Sequence, residues 1–197
     1  MSIVNQISHS ELTDLFLSLV ALVIAFSILG ARTIPDARIF LITAVGVGTG
    51  FLLHELAHKF VAMRYGYYAE YRASRVNLVL IVAMAFAGFI FAAPGAVIIS
   101  RTSSAKEELM ISLAGPMTNI ILSIIFFLLL ASGIAKGPLW LSAANFALFI
   151  NLTLAAFNLL PFGPMDGKKI FDCNRTVWVV VGVPTILAAL PVYLGMI

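Results

Sequence analysis

Ile39-Phe40-Leu41-Ile42-Thr43-Ala44-Val45-Gly46-Val47-Gly48-Thr49-Gly50-Phe51-Leu52-Leu53-His54-Glu55-Leu56-Ala57-His58 opens an apolar run that continues to Met63. A helix needs about 20 apolar residues to cross roughly 30 Å of hydrocarbon, and residues 39–63 supply them. His54, Glu55 and His58 interrupt the run. Even mild insertion scales assign about 2.5–3.5 kcal/mol to one charged residue at mid-helix, and nothing structural in the run offsets that cost. A pair of interfacial histidines capping a helix end is the plainer alternative. Residues four apart lie on one helical face, so both imidazoles can reach a single metal ion. Glu55 then stands where it can take a proton from water on that ion. For a helix starting near Ile39, His54 lies roughly 22 Å in, off-centre and closer to the Arg64 end.

Composition agrees with this start. The chain has 197 residues, of which 61% are hydrophobic and 11% charged. Soluble domains average about 45–50% apolar and about 25% charged, and a disordered chain needs more polar residues still. The net charge of +3 comes from scattered basic residues, which argues against a nucleic-acid partner. A single cysteine, Cys173, permits no internal disulfide. Without a basic n-region ahead of it, 12–29 reads as a retained membrane anchor. An all-α polytopic membrane protein in a lipid bilayer is the class that remains.

Further spans are expected at 12–29, 109–132, 139–161 and 176–197, with short polar connections between them. The stretch 77–99 is apolar but broken by Gly88, Pro94 and Gly95. About five to six transmembrane helices are therefore expected, with a short β or re-entrant segment after the second. With no repeat and no low-complexity linker, residues 1–197 read as a single domain whose core motifs span 54–167.

A catalytic zinc site usually takes three protein ligands and a water. His9 lies in the N-terminal tail, and Cys173 in a basic loop. Asp166 follows a helix end broken by Pro161, Gly163 and Pro164. Broken backbone at membrane depth is tolerated where it lines a cavity or is buried in protein. Asp166 is thus either the third ligand or an ordinary loop acid at a helix end. Asn151 and Thr153 read as interhelical hydrogen-bonding residues, worth roughly 0.6–2 kcal/mol each. Tyr65 through Tyr71 and the run from Pro94 to Ile99 read either as strands near the site or, for the tyrosines, as an interfacial aromatic belt.

Three motifs together resemble the site-2 proteases, which are intramembrane zinc metalloproteases. They are His54-Glu55-Leu56-Ala57-His58, Ala114-Gly115-Pro116-Met117-Thr118-Asn119, and Asn158-Leu159-Leu160-Pro161 through Asp166-Gly167. By this resemblance His54, His58 and Asp166 would bind one zinc ion and Glu55 would activate water. Asn158 would hold the substrate backbone, with Asn119 as a further substrate-binding candidate. Lys168 stands where many members have a second glycine. The regulatory PDZ or CBS domains common in the family do not fit 197 residues. The resemblance implies cleavage of peptide bonds within or near transmembrane helices of membrane-protein substrates, as in regulated intramembrane proteolysis. A zinc transporter or sensor with the same ligands, or an inactive homologue, is the alternative.

The proposed ligands make a demand on topology. His54, His58 and Asp166 lie towards the C-terminal ends of their helices, and they share a side only if 77–99 does not cross. In that case Arg64, Arg72, Arg75, Arg101, Lys106, Lys168, Lys169 and Arg175 lie on one side, and Arg32, Arg38 and Lys136 on the other. Positive charge favours the cytoplasm, so a multi-pass protein of the cell membrane with its site opening towards the cytosol is expected.

Overall fold

The computed structural model describes residues 7–31, 35–90, 93–100 and 104–193. Arg32 and Arg101 of the charge comparison, and the end of the expected span 176–197, lie outside them. Eight α-helices and two strands follow in chain order among the described residues: α1 (His9–Ala31), α2 (Ala37–Val47), α3 (Leu53–Arg64), β1 (Ala69–Ala73), α4 (Arg75–Phe86), β2 (Gly95–Ile99), α5 (Ala105–Ala131), α6 (Pro138–Asn158), α7 (Asp166–Cys173) and α8 (Arg175–Tyr193).

Local chemistry sets the boundaries. Asp36 caps α2 by accepting from the Ile39 amide at 2.9 Å, and Ser104 caps α5 by accepting from Glu107. Pro138 opens α6 at a position where its missing N–H costs nothing. A π-helical turn, Gly48–Leu52, joins α2 to α3, so the helix runs without a break over the 28 residues Ala37–Arg64. Gly66, at φ +85°, ends it.

Among the described residues, four helices are long and apolar enough to cross a membrane: His9–Ala31, Ala37–Arg64, Ala105–Ala131 and Pro138–Asn158. A fifth apolar helix, α8, is described as far as Tyr193 and carries Pro184 within it, so the all-α polytopic expectation agrees with the structure. The packing suits lipid. Ala25, Ala62, Ala147, Ala155 and Ala189 are fully buried, while Phe127, Leu128 and Trp140 stand outward, each about 60% exposed. Small residues inside let helices approach closely where lipid gives no hydrophobic drive to association.

The stretch 77–99 turns back. At 12 residues, α4 reaches about 18 Å, short of the roughly 30 Å hydrocarbon core. Strand β2 then pairs antiparallel with β1, from Ala69 opposite Ile99 to Ala73 opposite Gly95. The tyrosine and Pro94–Ile99 runs therefore contribute strands. Gly95 allows the close pairing, because a Cβ there would lie 2.8 Å from Ala73 Cα. The hairpin returns the chain to the end of the bundle it left, so α5 starts where α3 finishes.

Helix α1 fastens this hairpin. Glu11, fully buried, accepts from Lys59 Nζ of α3 at 2.5 Å and from the Tyr71 amide of β1 at 2.9 Å. Asp14 accepts from the Ala73 amide and pairs with Arg75 at 2.6 Å. Tyr71 Oη donates to Ser18, and Glu70 takes bonds from Ser8, Tyr68 and Arg72. The Ser8 and Tyr68 hydroxyls, with the Arg72 guanidinium, hold the Glu70 carboxyl below the usual carboxylate range.

The two sheet edges differ in consequence. The bonds from Ser74 N to Pro94 O and from Ser100 N to Tyr68 O fix which pairs exchange ladder bonds, and these alternate along the sheet. Tyr71 and Ala73 therefore turn their amides outward on the β1 side, to Glu11 and Asp14. Gly95, Val97 and Ile99 turn theirs outward on the β2 side.

Candidate metal centre

His54 and His58 stand one turn apart on α3 with both rings buried. His54 Nδ1 lies 2.6 Å from Asn119 Oδ1, and His58 Nδ1 lies 2.7 Å from the Ile111 carbonyl, both on α5. Carbonyl oxygens only accept, so each Nδ1 carries the proton and each Nε2 presents a lone pair. Asn119 is held in that sense because its amide nitrogen donates to the Gly50 carbonyl at 2.9 Å and to Asn151 Oδ1 at 3.0 Å. Asn151 in turn donates to Ala147 O and to Thr49.

Asp166, at the start of α7, completes the cluster from 108 positions away in sequence. Its Oδ2 lies 3.0 Å from His58 Nε2 and 3.4 Å from His54 Nε2, and the two Nε2 atoms are 3.0 Å apart. Two imidazole lone pairs and a carboxylate this close need a proton or a cation between them. Bonds of about 2.0–2.1 Å at tetrahedral angles separate ligand atoms by about 3.3 Å, so the spacing fits zinc. Among the described residues this is the one group of three metal-ligand side chains gathered within 4.8 Å.

Gly115 faces the cluster. A Cβ there would press on His58 and lie 2.6 Å from His54 Nε2, so the helix backbone itself walls one side. Glu55 lines an adjoining cavity of about 210 Å³ together with His54, Asn158, Phe157, Leu22 and Phe26. The Val97 amide of β2 faces the Glu55 carboxylate. Asn158 shares the cavity and donates to the Leu154 carbonyl.

Residues 42–136 match Peptidase family M50. A protein of Methanocaldococcus jannaschii is 40% identical over 92% of this chain and 93% of its own length. The chain belongs to peptidase family M50. A Bacillus subtilis relative is 35% identical over 62% of this chain and 64% of its own length. A second M. jannaschii protein is 30% identical over 81% of this chain and 40% of its own length. Each of the three is named as a zinc metalloprotease. No solved structure matches. This M50 member is a multi-pass membrane protein and a zinc metallopeptidase that uses one Zn²⁺.

The structure brings His54, His58 and Asp166 together, with Glu55 and Asn158 on the adjoining cavity. Asn119 stands apart from that cavity. It is fully buried behind His54 with both amide hydrogens engaged, leaving no donor for a substrate. Its chemistry is that of a partner to the imidazole. Sequence reasoning passed over the Ile111 carbonyl and Gly115, and it set Asn151 aside as an interhelical bond. Asn151 does bridge helices, but through Asn119 it reaches His54. Its place two turns before Asn158, on the same face of α6, was the available signal.

Proposed function

We propose that this M50 peptidase hydrolyses peptide bonds within or near transmembrane helices of membrane-protein substrates, the reaction of regulated intramembrane proteolysis. His54, His58 and Asp166 hold the zinc ion, Glu55 is the base, and residues 1–197 act as a single domain. The observation that carries this reading is the gathering of His54 Nε2, His58 Nε2 and Asp166 Oδ2 beside a cavity that Glu55 and His54 both line. When bound, the ion supplies Lewis-acid polarisation of the scissile carbonyl and an acidified water. Glu55 takes the proton as the water adds, then delivers it to the leaving amine as the C–N bond breaks.

A helical substrate hides its amides and must be extended before attack. The outward amides and carbonyls of Gly95, Val97 and Ile99 offer a strand edge beside Glu55, where main-chain bonds can hold it. Asn158, across the cavity on α6, supplies an amide group to the same backbone. The site opens towards the cytosol. Among the described residues Arg64, Arg72, Arg75, Lys106, Lys168, Lys169 and Arg175 lie at its end of the bundle, against Arg38 and Lys136 at the other.

Purified wild-type protein should cleave a model transmembrane substrate in proteoliposomes. E55Q should lose at least about 10²-fold in rate, the usual contribution of a general base, while keeping its zinc. A zinc-replete E55Q that cuts at full rate removes Glu55 as the base. A wild type that cuts soluble peptides and leaves membrane-embedded ones intact removes the substrate class.

A further inference from the structure

The last helix, α8, carries none of the ligand-type residues, and the chemistry above gives it no task. Its Trp178 is engaged at the other end of the Asp166 turn. Helix α6 ends at Asn158, and Pro161 and Pro164 prevent the following residues from continuing it. The carbonyls of Leu159 and Leu160 are therefore helix-end acceptors that need outside donors. Leu159 is fully buried, and its carbonyl accepts from Trp178 Nε1 at 2.8 Å. The same carbonyl packs against Gly167, the residue after Asp166. A Cβ at Gly167 would collide with the Leu159 carbonyl and lie 2.6 Å from Leu160 O.

The indole is itself confined. Phe171 of α7 meets it edge-on at 5.3 Å, with the Arg175 guanidinium 5.1 Å from the Phe171 ring. Gly182 leaves it room, since a Cβ there would lie 3.1 Å from Nε1. The Leu159 carbonyl thus touches both the α8 indole and the Gly167 backbone in the first turn of α7.

We propose that Trp178 is a positioning residue: by holding the Leu159 carbonyl it fixes the seat of Gly167 and thereby the reach of Asp166 Oδ2 towards His54 and His58. This rests on Asp166 being the third zinc ligand. A purely structural indole would change thermal unfolding and leave zinc affinity alone. A positioning one changes the affinity, because the third ligand loses its fixed place.

The test is zinc affinity by chelator competition on the full-length protein in detergent, with unfolding of the zinc-free form measured alongside. W178F keeps an aromatic ring against Phe171 and removes only the N–H donor. Its zinc affinity should fall about tenfold, the lower range for residues that orient ligands. D166A should fall further, and W140F, on the outer face of α6, should match wild type. If W178F gives no folded protein, G182V, which crowds the same ring, is measured in its place with the same fall expected. Wild-type affinity in W178F (or in G182V standing in for it), with D166A weakened, overturns the role of Trp178 alone, whatever the unfolding temperature does. Wild-type affinity in D166A overturns the ligand assignment and the inference with it.

Discussion

At the scale of single residues, acceptors are paired with donors so that each imidazole has one orientation. The His54–Asn119–Asn151 chain draws on α3, α5 and α6, and its polarity is fixed at the Gly50 and Ala147 carbonyls. N119L should lower zinc affinity about 10–100-fold, read by chelator competition, because it removes the acceptor that sets the His54 tautomer. The Glu11–Lys59 pair behaves differently. Both groups are buried, so K59M strands a carboxylate and should lower stability by about 3–5 kcal/mol in thermal or denaturant unfolding. The double variant E11L/K59M should recover much of that loss, because apolar replacement of a buried pair is often neutral. The His54–Glu55–His58 spacing was readable from sequence because helical periodicity alone puts both rings on one face. The Ile111 carbonyl was not, since any residue type supplies a backbone acceptor. Asn119 was seen, but the side it faces depends on how α5 rotates against α3, which its own sequence does not state.

At the scale of elements, the β1–β2 hairpin is the part whose reading the structure sharpens most. Gly88, Pro94 and Gly95 signalled a broken segment in the sequence, and the β-branched run at Val97–Ile99 signalled a strand. The polarity of the two edges could not be read there, because it depends on which residue pairs exchange ladder bonds. I99P tests the open edge. The Ile99 amide takes no part in the β1 ladder, so the substitution removes an outward donor and no β1–β2 bond, and it leaves the Val97 amide facing Glu55 in place. KM for a transmembrane substrate should rise several-fold in I99P with zinc affinity unchanged. An unaltered KM would mean that the substrate lies elsewhere in the cavity. The π-helical turn Gly48–Leu52 had no sequence signature beyond its glycines. Here Gly50 lends its carbonyl to Asn119, and a Cβ at that position would press on Leu154 of α6.

At the scale of the molecule, parity governs. Because the hairpin returns the chain, the C-terminal end of α3, the N-terminal part of α5, the end of α6 and the start of α7 all meet at one end of the bundle. In a C173S background, single cysteines at Arg72 and Lys106 should be labelled by an impermeant thiol reagent from the same side, and one at Lys136 from the opposite side. Labelling of positions 72 and 106 from opposite faces would require the segment between them to cross. The buried Glu11–Lys59 pair also bears on how the chain is made. Translation delivers the acid 48 residues ahead of its base. A lone buried carboxylate is costly, so Glu11 cannot take its final paired seat until the histidine-bearing helix has been made. A chain truncated before α3 should therefore leave Glu11 open to water, read by labelling of an E11C variant.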